Sequence, residues 1–330
     1  MATNAARDMV FELGTAHVAA RVLHVVCDLG VADALDSDPR SAYELAADVG
    51  ADADALSRLL RLLEMHGLFT RDDAGRWQHT EASRWLRADY PTSLRSYARM
   101  SGLPFNWGSI TNLKHAMAAG QPGICRLDAS GWCAYLEAHP DEQEIFQQAM
   151  TAKAHGDIAA LLATYDFSRH RRVADIGGGR GHLITAVLSA HPAVTGVLFE
   201  LPKVASGIPP AGRLEVVAGD FFTDPVPACD AYVLMNVVHD WDDKDATAIL
   251  TAVAEAGRPA RATVLVVEAV LPEGPQPHRA KTLDVLMLAI TGGRERTLSQ
   301  YDSLFAGAGL HQVAMTPTTT SFSVLEAQAR

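Results

Sequence analysis

A glycine-rich turn after an apolar segment is the first place in this chain of 330 residues where chemistry is expected. Residues 173–183 have the sequence VADIGGGRGHL, in which Asp175 lies in the apolar segment and residues 177–181 form the turn. Glycine has no Cβ and accepts positive φ, so backbone N–H groups in such a turn can face a bound molecule at the N-terminus of the next helix. The segment predicts a strand, a ligand-binding turn and the helix LITAVLSA.

Polar side chains follow three further apolar segments. Glu200 ends TGVLFE, Asp220 follows LEVVAG, and His239 follows AYVLMNVV. In an open parallel sheet the carboxyl ends of the strands form the edge where ligands bind. A carboxylate there suits ribose hydroxyls, and Asp220 beside Phe221 suits the amine and ring face of adenine. Either acid alone is also compatible with an ordinary loop residue, but in this order, after the glycine turn, the two predict a nucleotide-like ligand.

The turn departs from the dinucleotide-binding fingerprint. That fingerprint is Gly-x-Gly-x-x-Gly, and counting from Gly177 its sixth position is His182. The missing third glycine counts against NAD as the ligand.

Strands and helices that position these residues are predicted to alternate along the second half of the chain. Strand and helix patterns alternate over residues 170–330 and predict a doubly wound α/β layer structure. Before it, apolar residues at three- and four-residue spacing predict a helix over residues 17–35. Residues 101–165 are expected to be helical as well.

The first hundred residues follow the outline of a winged helix. Ser41 and Glu44 match a capping box, DADALSRLLRLLEMHGLF predicts a second short helix ending near Gly67, and LFTRDDAGRWQHT predicts a hairpin. This outline raises the alternative of a DNA-binding regulator. The second helix offers only Arg58 and Arg61 as cations, so we expect it to pack against protein and favour subunit association.

Composition narrows the function classes. The net charge of −11 and the pI near 5.6 argue against nucleic acid as a partner. The N-terminal sequence shows no charged leader before an apolar core, and the longest clean apolar runs, such as ATVLVV, are too short to span a bilayer. We therefore expect a cytoplasmic protein without a membrane partner. Four cysteines without a CxxC pair predict no metal site and no disulfide, but reduced packing residues: Cys27, Cys125, Cys133 and Cys229.

Six segments, in this order and spacing, resemble one family. VADIGGGRGHL, LFELP, AGDFF, VVHDW, VVEAVLP and GGRERT are similar to segments of the S-adenosylmethionine-dependent small-molecule O-methyltransferases, which include plant caffeate and chalcone methyltransferases and bacterial antibiotic-pathway enzymes. Helical segments of the first half, such as PFNWGSITNLKHAMAAGQP, also resemble that family, so the resemblance covers nearly the whole chain. It implies a Rossmann-like methyltransferase sheet in the C-terminal domain and a mainly α-helical, winged-helix-like N-terminal dimerisation domain.

The resemblance implies an activity and an assembly. The activity is methyl transfer from S-adenosylmethionine to a hydroxyl of a small aromatic metabolite, phenolic or polyketide-like, as in antibiotic biosynthesis, with S-adenosylhomocysteine as the product. The assembly is a homodimer paired through the N-terminal domain. Three parts are implied: residues 1–100 for dimerisation, 101–165 as a helical linker and acceptor-pocket segment, and 166–330 as the catalytic domain that binds the cofactor.

Residue roles follow from the same resemblance. His239 matches the general base, and Glu268 and Glu295 match the two carboxylates that flank it. Contacts to the cofactor are implied for Asp175, Gly177, Gly179, Glu200, Leu201, Gly219, Asp220, Phe221, Phe222, Asn236 and Trp241. The acceptor pocket is implied to include Trp107, Phe146, Met150, Asp284 and Met287.

The chemistry of such a reaction favours the same base. A phenol, with a pKa of about 10, is a poor nucleophile at neutral pH until its proton is removed. Histidine is the side chain best matched to that task, and a carboxylate on its far nitrogen would fix the tautomer and stabilise the imidazolium. Glu268 lies in the apolar strand VVEAV, where an ionised side chain is costly unless it is paired, for example with His239.

Several alternatives remain open at this stage. Some proteins of this fold use the same cofactor for hydroxylation, decarboxylation or pericyclic reactions and often lack the base, which this chain retains in His239. Glu295 stands between Arg294 and Arg296 and could form a plain surface ion pair. His239 alone could be a hydrogen-bonded core histidine, and each side chain of the acceptor set could be ordinary core.

Overall fold

The computed structural model describes residues 2–329, with side chains from residue 4 onward. Packing divides the chain into two compact units. The first runs to Gly108 and includes Cys133–Lys153, and the second contains Ser109–Trp132 and continues from Ala154. The middle part of the predicted division at residues 100 and 165 thus contributes to both units, and that division stays a prediction.

Helices dominate the first half of the chain. They are α1 (Ala2–Asp28), α2 (Val31–Leu35), α3 (Ala42–Val49), α4 (Ala53–Met65), α5 (Glu81–Arg84), α6 (Arg95–Met100), α7 (Pro104–Thr111), α8 (Leu113–Ala119), α9 (Trp132–Ala138) and α10 (Pro140–Thr164). A 3₁₀ turn at Gly123–Arg126 follows α8. The predicted hairpin is confirmed, because β1 (Phe69–Arg71) and β2 (Trp77–His79) pair antiparallel.

The local signals for α3 and α4 are also confirmed. The Ser41 hydroxyl accepts a hydrogen bond from the Glu44 N–H at 3.2 Å, and the Glu44 carboxylate accepts one from the Ser41 N–H at 2.8 Å. This reciprocal pair satisfies two donors at the start of α3. α4 buries Leu56, Leu60 and Leu63 in the core of the first unit, as expected of a helix that packs against protein.

The single helix predicted over residues 17–35 is wrong. α1 ends at Asp28 and α2 begins at Val31, because Gly30 between them has a φ of 71°. A left-handed residue cannot continue a right-handed helix, and glycine adopts that conformation without strain. The break redirects the chain so that Val31 and Leu35 are buried.

The N-terminal half of α1 carries exposed apolar side chains. Met9, Val10, Phe11 and Leu13 are between 59% and 71% exposed. An 18-residue window within Asn4–Asp28 has a mean hydropathy of 1.3, so this stretch is long and apolar enough, by length and composition alone, to cross a membrane. The expectation that no stretch meets these criteria is therefore wrong. Its apolar residues are spread along the helix and do not form one uninterrupted run.

The cysteines divide by environment. Cys27 and Cys229 are buried as predicted, and all four cysteines are free thiols. Cys133 is exposed, so the prediction that it packs in the interior is wrong.

The second unit is built on a seven-stranded sheet, which confirms the predicted α/β class. The strands after the hairpin are β3 (Arg172–Ile176), β4 (Thr195–Glu200), β5 (Leu214–Ala218), β6 (Ala231–Met235), β7 (Thr263–Glu268), β8 (Val270–Leu271), β9 (Arg296–Thr297), β10 (Leu310–Pro317) and β11 (Ser323–Ala329). The order across the sheet is β10-β11-β7-β6-β3-β4-β5. β3 to β7 are parallel, β11 is antiparallel to β7 and β10, and β8 pairs with β9 outside the sheet.

Helices cover both faces of this sheet. They are α11 (His182–Ala190), α12 (Pro202–Ala205), α13 (Asp243–Gly257), α14 (Arg279–Ile290) and α15 (Leu298–Gly307), with 3₁₀ turns at Phe167–Arg169, Val238–Asp240 and Arg258–Ala260. One core contains side chains of α13 and α15, and the other contains side chains of α11 and α14. A parallel sheet covered on both faces has nearly continuous apolar strands, so polar side chains concentrate at the strand ends.

Gly196 shows how closely α11 packs on the sheet. A Cβ at Gly196 in β4 would lie 2.6 Å from Cγ1 of Ile184. We expect Gly196→Ala to lower the free energy of unfolding by about 1–3 kcal/mol, because the core would be overpacked. Gly156→Ala in α10 is the matched control, since a Cβ there meets nothing within 4 Å. It should raise stability by about 0.5–1 kcal/mol. Equal melting temperatures for the two variants would contradict this packing.

Candidate active site

The glycine-rich turn joins β3 to α11. Gly177 and Gly179 have φ values of 66° and 58°. A Cβ at Gly178 would lie 2.4 Å from the carboxyl carbon of Asp175, so only glycine leaves room for that side chain. Oδ2 of Asp175 accepts a hydrogen bond from the Ile184 N–H at 3.3 Å, and burial raises the pKa of Asp175 to about 7. A Cβ at Gly179 would meet nothing within 4 Å, so this backbone borders open space.

Glu200 ends β4 beside the turn. Its Oε2 accepts a hydrogen bond from the Gly179 N–H at 2.9 Å, and its Oε1 accepts one from the Leu201 N–H at 2.8 Å. Leu201 is 49% exposed. The acid after the second strand and the turn after the first are therefore in direct contact, as expected if both face one ligand.

An aromatic cluster lies on the same edge of the sheet. The ring of Phe222 makes edge-to-face contacts with two neighbours. Its centroid lies 4.9 Å from that of Phe221 and 4.8 Å from that of Trp241. Oδ1 of Asp220 accepts a hydrogen bond from the Phe222 N–H at 2.9 Å. A Cβ at Gly177 would lie 3.8 Å from the ring of Phe221, so the cluster borders the turn.

Gly219 and Asn236, which are also predicted to contact the cofactor, stand where few other residue types fit. A Cβ at Gly219 would lie 2.5 Å from the ring of Phe199. Asn236 has a φ of 55°, which few residues other than glycine adopt, and its N–H donates to the Val267 carbonyl at 3.2 Å. Strained backbone of this kind is concentrated at functional sites.

His239 lies in the 3₁₀ turn after β6 and is 5% exposed. Its Nδ1 lies 2.9 Å from Oε1 of Glu295 and 3.4 Å from Oε2 of Glu268. Nε2 makes no hydrogen bond within residues 2–329, and it lies 3.8 Å from Oδ1 of Asp240. One ring nitrogen is thus held by two carboxylates while the other can exchange a proton with a ligand.

Glu268, at the end of β7, is fully buried. Its Oε1 accepts hydrogen bonds from the N–H groups of Val237 and Val238 at 3.0 Å and of His239 at 3.4 Å. The same carboxylate therefore contacts both the backbone of the turn and the imidazole that the turn carries.

Glu295 is 1% exposed, so the alternative of a surface ion pair is wrong. Its N–H donates to Oδ1 of Asp284 on α14 at 3.0 Å. Arg296, beside it, is also fully buried and pairs with Asp243 at 2.9 Å. The sequence contains both arginines next to Glu295, but it does not reveal that the second one turns inward.

The charges around His239 decide where its proton resides. Burial alone would lower the pKa of His239, but the charges of Glu268 and Asp240 and the hydrogen bond that Nδ1 donates to Glu295 raise it to about 9. Burial raises the pKa of Glu268, against the lowering effect of the imidazole. Because three N–H groups point at Glu268, and such donors favour an ionised carboxylate, we assign the shared proton to the imidazole at neutral pH.

These three side chains are also close enough together to hold a metal ion. One ligand atom from each of His239, Glu268 and Glu295 lies within 4.8 Å of the others. The protein already engages Nδ1 of His239 and Oε1 of Glu268, so a metal would have to displace those contacts. The contacts are explained by a shared proton, and the absence of a metal from the reaction stays a prediction.

The residues predicted to contact the acceptor fall in both units. In the first, Phe146 packs edge-to-face on Phe105 at 5.8 Å, Trp107 lies under the Arg21 guanidinium at 5.6 Å, and Met150 is half-buried. In the second, Asp284 and Met287 lie on α14 and are half-buried. Their contact with an acceptor stays a prediction.

Comparisons with known proteins identify the family. Residues 11–89 match the model of an O-methyltransferase dimerisation domain, and residues 110–311 match that of an O-methyltransferase domain. The phenazine O-methyltransferase PhzM of Lysobacter antibioticus is 33% identical over 327 residues, which cover 97% of this chain and 95% of that relative. The crystal structure of CalO1, a methyltransferase in calicheamicin biosynthesis with S-adenosylhomocysteine bound, matches with a TM-score of 0.91 at 33% identity and 100% coverage of both chains.

The chain belongs to the O-methyltransferase family. This methyltransferase uses S-adenosylmethionine, and its relatives act on small aromatic compounds. One relative differs in the atom that is methylated: an 8-amino-8-demethylriboflavin N,N-dimethyltransferase of Streptomyces davaonensis is 32% identical over 316 residues, 92% of this chain and 90% of that relative.

The residues of the methyltransferase fit S-adenosylmethionine. The backbone at Gly179 borders open space, and the Glu200 carboxylate lies beside it at the strand edge. The cluster of Phe221, Phe222 and Trp241 offers the apolar faces that an adenine ring requires.

The raised pKa of His239 has a consequence for the stability of the methyltransferase. A group whose folded-state pKa lies above its unfolded value stabilises fully below the unfolded pKa, and this contribution is lost as pH rises through the folded pKa. With a folded pKa of about 9 against 6.5, the full contribution is about 3 kcal/mol, and we expect about 2 kcal/mol of it to be lost as pH rises from about 7 to about 9.

The measurement is the melting temperature of the free protein at both pH values. His239→Gln should show a smaller drop than the parent. His170→Gln is the control, because burial lowers the pKa of His170 and its charge does not change in this range. An undiminished drop in His239→Gln would contradict the assignment of the proton.

Proposed function

We propose that the protein methylates a hydroxyl of a small aromatic metabolite and that His239 is the general base. The observation that carries this proposal is that the two ring nitrogens of His239 have different contacts. Nδ1 is held by Glu295 at 2.9 Å, and Nε2 makes no hydrogen bond within residues 2–329. A base needs one nitrogen free for the substrate and the other fixed by a partner that selects the tautomer.

In the proposed reaction some residues bind and align the two substrates, and others move the proton. S-adenosylmethionine supplies the methyl carbon as an electrophile on a sulfonium, which leaves as the thioether of S-adenosylhomocysteine. Nε2 of His239 takes the hydroxyl proton as the new oxygen–carbon bond forms. Glu268 and Glu295 stabilise the imidazolium that results. Alignment of the acceptor oxygen with the methyl carbon supplies most of the rate, as in other reactions between two bound partners.

The base has to lose its proton before it can act. With a pKa of about 9, His239 in the free protein is mostly protonated at neutral pH. A positive charge brought near an imidazolium favours its neutral form. Bound S-adenosylmethionine would supply such a charge on its sulfonium, which would favour the neutral form of His239 that can take a proton.

The same edge of the sheet provides the cofactor contacts in this proposal. The backbone of Gly177 and Gly179 and the side chain of Asp175 face the methionine part. Glu200 and Leu201 contact the ribose. Adenine lies among the remaining residues of the predicted set: Gly219, Asp220, Phe221, Phe222, Asn236 and Trp241. The acceptor is bound in this proposal by the residues that the family resemblance implies: Trp107, Phe146, Met150, Asp284 and Met287.

Labelled methyl transfer tests the function. The protein is incubated with S-adenosylmethionine labelled on the methyl group and with a hydroxyphenazine, a hydroxynaphthoic acid and an aminobenzoic acid, and the products are analysed by mass. We expect label in an aryl methyl ether. Label on nitrogen would place this chain with the N-methylating relative, and an unlabelled oxidised or decarboxylated product would contradict methyl transfer.

His239→Gln tests the base. We expect turnover to fall by about 10²–10⁴-fold, the usual contribution of general acid–base catalysis. Binding of S-adenosylhomocysteine, measured by calorimetry, should be nearly unchanged because the side chain does not belong to the cofactor set. His170→Gln is again the control. Unchanged turnover would remove His239 from the mechanism.

We also propose that two copies pair through the helical first unit. The exposed apolar half of α1 overlaps the matched dimerisation domain over residues 11–89. A soluble protein rarely leaves such a patch uncovered, and closed homodimers are the commonest assembly.

Light scattering tests the pairing. The parent should have twice the chain mass of 35.4 kDa. Phe11→Glu combined with Leu13→Glu should give a single chain, because two buried charges would destabilise an apolar interface. Val313→Glu, at a residue 45% exposed on β10, should remain a dimer. A monomeric parent, or one that sediments with lipid vesicles, would contradict pairing through α1.

A further inference from the structure

Arg296 is a buried cation whose donors converge on the turn that carries His239. Its Nη1 donates to the Val238 carbonyl at 3.0 Å and its Nη2 to the Trp241 carbonyl at 2.8 Å. Its Nε donates to Oδ1 of Asp243, at the start of α13, at 2.9 Å. One planar group thus bonds the backbone on both sides of His239 and anchors it to the next helix.

The residues before Arg296 contact the same turn. A Cβ at Gly293 would lie 2.0 Å from the His239 carbonyl oxygen, so the two backbones are in close contact there. The Arg294 N–H donates to that carbonyl at 2.8 Å, and Glu295 reaches the ring. Residues 293–296 therefore make four consecutive contacts with the turn, the first two by backbone and the last two by side chain.

We propose that Arg296 is a positioning residue for the methyl-transfer reaction and acts by fixing the turn so that Nδ1 of His239 stays on Glu295. This inference rests on the proposed role of His239 as the base. Arg296 touches no reacting atom. Its planar fork of donors matches three acceptors at fixed angles, whereas the single ammonium of lysine can match one or two of them.

The cost of burying Arg296 supports a role beyond packing. A buried guanidinium loses its hydration, and pairs of buried charges are often no more stabilising than apolar residues of the same volume. Here two of the acceptors are carbonyls of the turn itself, and the paired carboxylate of Asp243 is 58% exposed. The donors are thus directed at backbone geometry around the base.

The test compares four variants of the full-length protein. Arg296→Lys keeps the charge and loses the fork. Arg296→Met keeps the side-chain volume and loses both the charge and the fork of donors. Asp243→Asn weakens the ion pair that holds Arg296, by a change at an exposed residue. It replaces the Arg296 variants in the test if these fold poorly. Arg294→Lys is the control, because that side chain is 47% exposed and contacts the same Asp243.

The first readout needs no acceptor. The imidazole of His239 is titrated by NMR in histidine-labelled protein, with His239→Gln to assign its signal. We expect the pKa to move from about 9 towards its ordinary value in Arg296→Lys, and by a smaller amount in Asp243→Asn. An unchanged titration in both variants, with only a lower melting temperature, would show a purely structural role and overturn the inference.

The second readout is kinetic and uses the best acceptor from the labelled-methyl panel. In Arg296→Lys, kcat should fall by about tenfold to a hundredfold while KM for the acceptor stays the same, as expected when a reactive group is misplaced by a fraction of an ångström to 1 Å. Adding Arg296→Lys to His239→Gln should cause no further loss. A further loss of the same size would mean that Arg296 acts elsewhere.

These outcomes separate the two proposals. If His239→Gln is as active as the parent, the base assignment fails whatever Arg296 does. If His239→Gln is inactive while Arg296→Lys matches Arg294→Lys in kcat and in the His239 titration, the base stands and the role of Arg296 is refuted.

Discussion

Burial of an imidazole with two carboxylates is the constraint on which the rest of the second unit depends. Charged groups removed from water are costly unless hydrogen bonds replace their hydration. Here the replacement comes from backbone N–H groups, because Oε1 of Glu268 accepts from three successive residues of the turn after β6. The imidazole of His239 can therefore be buried because the neighbouring strand β7 ends in Glu268, whose carboxylate accepts from the backbone of the turn.

The same device recurs along the ligand edge of the sheet. Asp175 at the end of β3 accepts from the N–H of Ile184, and Glu200 at the end of β4 accepts from that of Gly179. Asp220 accepts from the Phe222 N–H in the loop after β5. Carboxylates at strand ends thus hold the loops of the site in place. The bonds to Glu200 and Asp220 are 2.9 Å long, as is usual when the acceptor is ionised, whereas the bond to Asp175, whose pKa burial raises to about 7, is longer at 3.3 Å.

How far the sequence predicts this arrangement depends on the range of the interaction. The strand, glycine turn and helix over residues 173–183 are local patterns, and so is the capping box at Ser41. The fold class follows from such patterns, and the family match agrees with it. The set of strand-end residues follows from the same patterns and stays a prediction. The position of Gly30 as a helix break was missed, because an apolar spacing of three and four residues continues through it.

The inward orientation of Arg296 was missed for a different reason. Arg294 and Arg296 flank Glu295 symmetrically in sequence, yet one is 47% exposed and the other is fully buried. In an extended segment alternate side chains point to opposite sides, so residues 294 and 296 would be expected on the same side. Arg296 turns inward because its donors meet the carbonyls of Val238 and Trp241, which are distant in sequence. The two segments follow neighbouring parts of the fold, since the turn follows β6, β6 pairs with β7, and β9 pairs with β8, which follows β7.

The same segment links α14 to His239. Asp284 on α14 accepts from the Glu295 N–H at 3.0 Å, and the Glu295 carboxylate lies 2.9 Å from Nδ1 of His239. Two hydrogen bonds therefore join a helix of the predicted acceptor set to the imidazole. Burial raises the pKa of Asp284, and its protonation would weaken the first of these bonds because an ionised oxygen is the stronger acceptor. Asp284, one of the residues predicted to hold the acceptor, and His239, the proposed base, are thus parts of one hydrogen-bonded assembly.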